Sequence, residues 1–304
     1  MRYTLFAGSY FGIPVRIHIT FPLILVLFGA EAWTEGGPAA AVRAVLLILA
    51  VFVCVVLHEF GHSLQVRRYG IAVRDVVLLP IGGMARAERI PEQPRQEIIV
   101  AISGPLVNFA LALILYAVMA VLDRPINPEF DFLASLFAIN LVLGLFNLIP
   151  AYPMDGGRIL RGLLATRVTY LRATRYATSV GQLIAQGFVV LGFVYHELIM
   201  LPVIAMFIFF GAMTEESMIR VRFLLGGRTV REFTDPLPPE VPAAEAGSLQ
   251  LVDAGTPATQ AYYAMKSVNR RPAIVVDDGV PIGVLRFERL AEVLRFDSRP
   301  DATG

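Results

Sequence analysis

The sequence predicts an all-α polytopic membrane protein: six transmembrane helices with a membrane-dipping hairpin, plus a small α/β tail. Three observations lead there. Hydrophobic residues make up 56% of the chain and charged residues only 17%, far from the balance of soluble domains. Apolar windows of about 20 residues, the length needed to cross a bilayer, recur through the first two thirds of the chain. Basic residues are dense in alternate loops, as the orienting rule for membrane proteins requires.

The spans read in order as 15–33, 42–66, 96–122, 132–151, 177–196 and 197–221, the last two joined at Tyr195-His196-Glu197. The first could instead be a signal peptide, with Arg2 and Arg16 as its basic region and Gly29-Ala30-Glu31-Ala32 offering a cleavage site. Its apolar run exceeds a usual signal core, and Arg16 and His18 interrupt its start. Arg67, Arg68, Arg74, Arg86, Arg89 and Arg95 follow span two. Arg158, Arg161, Arg167, Arg172 and Arg175 follow span four, and Arg220, Arg222, Arg228 and Arg231 follow span six. The loops between are poor in Arg, which predicts that both termini and the end of span two face the cytoplasm. The net charge of +1 argues against a nucleic-acid partner. The single Cys54 can form no internal disulfide.

After Arg222 the composition changes. Residues 223–243 read as a linker, punctuated by Gly226-Gly227 and Asp235-Pro-Leu-Pro-Pro239. Residues 244–304 read as an α/β module, with a helix over 258–268, a strand over 273–276 and a turn at Asp277-Asp278-Gly279. A second strand over 282–285 and a closing helix over 287–295 complete it.

His58-Glu59-x-x-His62 lies in the hydrophobic stretch 39–64. Histidines four apart sit one above the other on a helix, so both imidazoles can reach one zinc ion with the glutamate beside them as general base. Ionisable residues in such flanks are costly and by default mark a functional site. The plainer reading is a helix end whose charged residues have reached the interface. A catalytic zinc commonly has three protein ligands and a water. The best third candidate is Asp155, in Asn147-Leu-Ile-Pro150-Ala-Tyr-Pro153-Met-Asp155-Gly156-Gly157. The two prolines break the helix there, and the segment ends on the same expected membrane side as the histidines. A solvated Asp-Gly turn after a helix stop is the alternative.

Asn140 and Asn147 share a face of span four, where Asn140 reads as a helix-packing hydrogen bonder. Asn108 reads either as packing or as support of the site. Gly82 and Gly83 mark a turn or the edge of a hairpin that pairs with an extended substrate. His18 and His196 read as interface residues.

On His58-Glu-Phe-Gly-His62 and Asn147-x-x-Pro-x-x-Pro-x-Asp155-Gly-Gly, residues 1–222 resemble the site-2 protease family of intramembrane metalloproteases. Ser103-Gly-Pro-Leu-Val-Asn108 looks like that family's Gly-Pro-x-x-Asn element, and Pro80-Ile-Gly-Gly83 like its glycine-rich membrane-dipping hairpin. The resemblance implies His58, His62 and Asp155 as zinc ligands, Glu59 as catalytic base, and Asn147, with Asn108, Gly82 and Gly83, toward substrate. An exposed edge at Leu78–Ala85 would hold an unwound substrate strand. The implied substrate is a membrane protein with a transmembrane helix, such as a membrane-tethered transcription regulator or its inhibitor. Met154 stands where the family usually has Leu, a volume-conserving change. The tail resembles a single CBS motif from near residue 228, which places the chain nearer the sporulation-factor branch than the PDZ-bearing one. Such motifs pair, so a homodimer through the tail is expected. A lone copy, with Glu288 in place of the usual ribose-binding Asp, argues against adenine-nucleotide binding. The alternative functions are a non-catalytic scaffold, which would have no need to keep Glu59, and a metal transporter, which would spread acidic and His residues over several spans.

Overall fold

The computed structural model describes residues 3–80, 82–88, 93–124, 126–127, 131–237 and 250–296. It divides into two compact units, Met1–Ala212 and Met213–Gly304.

In the first unit, β1 (Thr4–Tyr10) and β2 (Ile13–His18) lead into α1 (Phe21–Arg68). A hairpin follows, β3 (Val73–Leu79) and β4 (Gly82–Ala87), then α2 (Pro94–Val121), α3 (Phe132–Asn147), α4 (Asp155–Ala165) and α5 (Tyr170–Val194). The last helix, α6 (Met200–Leu225), belongs to this unit as far as Ala212. Helices α1, α2, α5 and α6 are each long and apolar enough to cross a membrane, and α3 is a shorter apolar helix of 16 residues. Large apolar side chains such as Leu113, Phe193 and Leu183 stand exposed on these helices, the surface that lipid would cover.

Helix α1 is not one rod. Gly37 leaves helical geometry at φ 72°, a left-handed value that glycine adopts without strain, and Pro38 follows it. Phe21 meets Phe52 edge to face at 4.5 Å, and Gly29 lies against Val45. Both pairs are centred on residue 37, so the arms 21–36 and 38–68 run antiparallel. The arms overlap the stretches 15–33 and 42–66 of the sequence reading, but the first helical arm begins later than expected because residues 15–18 are strand.

That strand overturns the all-α expectation: the fold is mostly helical with small sheets. Strand order is β1-β2-β3-β4, with β2 and β3 parallel (Val15↔Val76) and the outer pairs antiparallel. Ile13, Val15, Val76 and Phe60 of α1 form its buried core. The sequence hid β2 because a short apolar run next to a longer one cannot be told from helix by periodicity. Leu78 is an inner-strand residue paired on both sides, so the free edge beside the hairpin is β4 alone, not the whole of Leu78–Ala85.

Helix α4 was not anticipated. It is amphipathic and is tied to α2 by a fully buried ion pair, with Arg161 Nε donating to Glu97 Oε1 at 2.7 Å. The guanidinium also stacks over Tyr152 and Tyr170, 5.3 and 5.0 Å from the ring centres.

In the second unit, a capping box of Thr229 and Glu232 starts a short turn, Val230–Phe233. The sheet order is β5-β8-β7-β6, formed by β5 (Thr234–Asp235), β6 (Gln250–Asp253), β7 (Ala273–Asp277) and β8 (Val280–Leu285). Helices α7 (Ala258–Ser267) and α8 (Phe287–Phe296) complete a β-α-β-β-α order from residue 250 on, and each expected tail element is present. Val230, Phe233, Val275, Leu285 and Leu290 share one core. Residues 230–235, read as linker, thus pack in this unit, while 238–249 lie outside the described residues.

Removing one partner of a buried ion pair strands the other charge and typically costs about 3–5 kcal/mol, whereas apolar replacement of both is often neutral. Glu97→Ala is therefore expected to lower the melting temperature in detergent sharply, and Glu97→Leu combined with Arg161→Met to recover most of the loss.

Candidate active site

The second arm of α1 stacks His58 and His62 on one face, both buried. Their Nε2 atoms lie 3.1 Å apart. Asp155 Oδ2 approaches from the start of α4, 3.3 Å from His58 Nε2 and 3.2 Å from His62 Nε2. Zinc–ligand bonds of about 2.0–2.1 Å in a tetrahedron place ligand atoms about 3.3 Å apart. The three atoms thus stand at the spacing of one face of a zinc tetrahedron. These are the only three or more His, Cys, Asp or Glu side chains so grouped among the described residues.

The outer ring nitrogens are engaged. His62 Nδ1 donates to the carbonyl of Val100 at 2.8 Å, and His58 Nδ1 faces Asn108 Oδ1 at 2.5 Å. Since a carbonyl only accepts, His62 must carry its hydrogen on Nδ1, which leaves Nε2 as a lone pair for metal. An anionic carboxylate is the form a metal binds.

Glycines make room for this cluster. A Cβ on Gly104 would fall 2.2 Å from His62 Nε2 and 2.7 Å from His58 Nε2, inside the place a metal would take. Gly61 brings α1 against the backbone of α2, where a Cβ would sit 2.5 Å from the Ser103 carbonyl oxygen. Gly156 and Gly157 turn α4 back on residues 148–152, where added Cβ atoms would lie 2.2 Å from the Ile149 oxygen and 2.8 Å from the Tyr152 nitrogen. That turn aims Asp155 at the histidines.

Glu59, next to His58, is held by the hairpin: its Oε2 accepts from the Ala85 N–H of β4 at 3.0 Å. Gly83 lies against its stem, where a Cβ would be 2.8 Å from Glu59 Cγ. Gly82 starts β4 with φ 139°. The structure brings His58, Glu59, His62, Asp155, Gly83 and Asn108 around one centre. Asn108 is fully buried, with its Oδ1 against His58 Nδ1. Asn147 ends α3 half-buried, its amide donating to Leu143 O at 3.0 Å, and it makes no hydrogen bond to the cluster among the described residues. The parts that sequence reasoning missed are backbone groups (Val100 O and Ala85 N–H) and the space that Gly104 vacates. Only the Gly104-Pro pair carried a hint of them.

Gly104→Ala is expected to abolish metal binding while leaving the protein folded, because one methyl collides with two ligand atoms. Zinc content and the melting profile of the purified variant check this; a stoichiometric zinc content would contradict the geometry.

The pattern of Peptidase family M50 matches residues 46–125 and 126–188, the stretches that carry the whole cluster. Zinc metalloprotease MJ0392 of Methanocaldococcus jannaschii is 37% identical over 238 residues, covering 78% of this chain and 68% of that protein. Stage IV sporulation protein FB of Bacillus subtilis is 30% identical over 131 residues, 42% of this chain and 43% of its own length. The solved structure of the Site-2 Protease from Methanocaldococcus jannaschii matches with a TM-score of 0.51 and 37% identity, over 70% of this chain and 95% of that one. A buried His-His-Asp cluster of zinc dimensions thus sits in a chain that belongs to peptidase family M50, the site-2 protease family of zinc metalloproteases.

Proposed function

We propose that His58, His62 and Asp155 hold the zinc and that Glu59 is the general base of an intramembrane endopeptidase that cuts transmembrane segments of other membrane proteins. The observation that carries this reading is the tetrahedral spacing of three ligand atoms, with a second carboxylate, that of Glu59 next to His58, held by a sheet edge. When bound by His58, His62 and Asp155, zinc would supply Lewis acidity, the chemistry that acidifies water and polarises a carbonyl. Glu59 would accept a proton from the attacking water on a carboxylate oxygen and pass it to the leaving amine. The Ala85 N–H keeps the carboxylate aimed while it does so.

A substrate helix hides its own peptide bonds and must unwind before attack. Residues that break helices lower that cost. The outer edge of β4, apart from the Ala85 N–H that Glu59 engages, would offer main-chain groups to the unwound strand beside Gly82 and Gly83, and Asn147 at the end of α3 would hold its other side. Asn108 acts behind His58.

Six crossings, with both termini in the cytoplasm, are the topology we assign. It is supported by the fold-back of α1 at Gly37, by the apolar α3 and by the alternation of Arg between loops. The chain is read as a membrane protease domain over 1–222, a linker over 223–243 and a CBS-like cytoplasmic module over 244–304 whose resemblance begins near 228. The β-α-β-β-α order and the packing of Val230 and Phe233 with the tail support that start. The module is assigned to pairing with a second copy.

Glu59→Gln is expected to keep zinc and fold but lose about 10²–10⁴-fold in turnover, measured on a reconstituted transmembrane substrate. Activity within a few-fold of wild type would remove Glu59 from the role of base. For topology, single cysteines at positions 90 and 170 in a Cys54→Ser background are expected to resist an impermeant reagent on intact cells. Labelling at either would reverse the orientation.

A further inference from the structure

The three buried polar side chains behind His58 form one chain with a fixed direction. Asn140 is wholly buried in α3. Its Nδ2 donates to the Leu136 carbonyl at 2.9 Å and to Cys54 Sγ at 3.3 Å. Its Oδ1 accepts from Asn108 Nδ2 at 3.0 Å, and Asn108 Oδ1 faces His58 Nδ1 at 2.5 Å. An Asn amide can be turned end for end at little steric cost, so hydrogen bonding alone decides which end points where. Leu136 O is a backbone carbonyl and can only accept. The Asn140 end beside it must therefore be the NH2 group, and its oxygen must face Asn108. Asn108 must then present its NH2 to Asn140 and its oxygen to His58. His58 must donate from Nδ1, which leaves Nε2 as a bare lone pair aimed at the metal position.

We propose that Asn140 is a positioning residue of the zinc site: through Asn108 it fixes the His58 tautomer that binds metal, with the Leu136 carbonyl setting the direction. This rests on the assignment of His58 as a ligand. With Asn140 apolar, Asn108 is free to reverse. Its NH2 group would then face His58 Nδ1 and favour the tautomer that carries hydrogen on Nε2, where it competes with zinc. His62 has no such dependence, since Val100 O acts on it directly.

The test uses the full chain in detergent, with zinc affinity from chelator competition, the visible absorption of the cobalt-substituted protein, and the melting profile. Asn140→Leu removes the polar group. Asn140→Ser, a gentler change, can bond Leu136 O but is too short to reach Asn108. Both are expected to weaken zinc about 10–100-fold, the usual range for a partner behind a ligand, and to alter the cobalt spectrum. Asn140→Asp, as the neutral acid that burial favours, can donate its O–H to Leu136 O and still accept from Asn108, and is expected to restore wild-type affinity and spectrum. A folded Leu or Ser variant with wild-type affinity and spectrum overturns the proposal. So does an Asp variant as weak as the Leu variant, which would reduce Asn140 to packing. His58→Ala is the separate control: if it retains zinc, the ligand assignment itself fails, whatever Asn140 does.

Discussion

The close approach of α1 to α2 is the constraint on which the site depends. It is set at two glycines, Gly61 on one helix and Gly104 on the other, where any side chain would strike backbone or a ligand. In an apolar solvent, helices gain little by hiding hydrophobic surface from each other, and small residues that admit backbone contact become the basis of association. Here the approach does more than pack. It brings the Val100 carbonyl to His62 and the Asn108 amide to His58, so the same contact that joins the helices also settles where the imidazole hydrogens reside.

Charge is handled in two ways within one unit. Near the metal centre, polar groups are linked into a series that ends at a ligand. Where α4 packs on α2, Glu97 and Arg161 neutralise each other in the buried interior, with two aromatic faces over the guanidinium. Such pairs rarely stabilise relative to apolar packing, but they punish alternatives, since any other seating of α4 strands a charge. Asp155 begins that helix, so the ion pair restricts where its carboxylate can be.

What the sequence made legible follows from its chemistry. His58, Glu59, His62 and Asp155 were readable because ionisable residues in apolar flanks are expensive and must have a reason. Helices α2, α5 and α6 were readable because a run of apolar residues as long as a bilayer has few other uses. The tail elements were readable from turn residues such as Asp278-Gly279. The four-stranded sheet was not, because β2 is six residues long and is followed almost at once by the apolar start of α1. Nor were Val100 O and Ala85 N–H, since every residue carries those groups and only the folded chain shows which of them are used. Asn140 was read as a packing residue because nothing in the sequence reveals the direction of an amide.

The parallel pairing of β2 with β3 imposes a condition on how the chain threads the bilayer. One strand enters α1 and the other leaves it, yet Val15, Arg16 and Ile17 lie beside Val76, Val77 and Leu78. Both ends of α1 must then lie at the same level. Any crossings between them must therefore be even in number, and the bend at Gly37 is what returns the chain to that level. Parity of this kind does not depend on the tally of arginines: an insertion error that left the first arm on the wrong side would leave β3 without its neighbour and Phe60 without the cover of Ile13 and Val15. The sheet that steadies Glu59 therefore closes only on a correctly threaded chain.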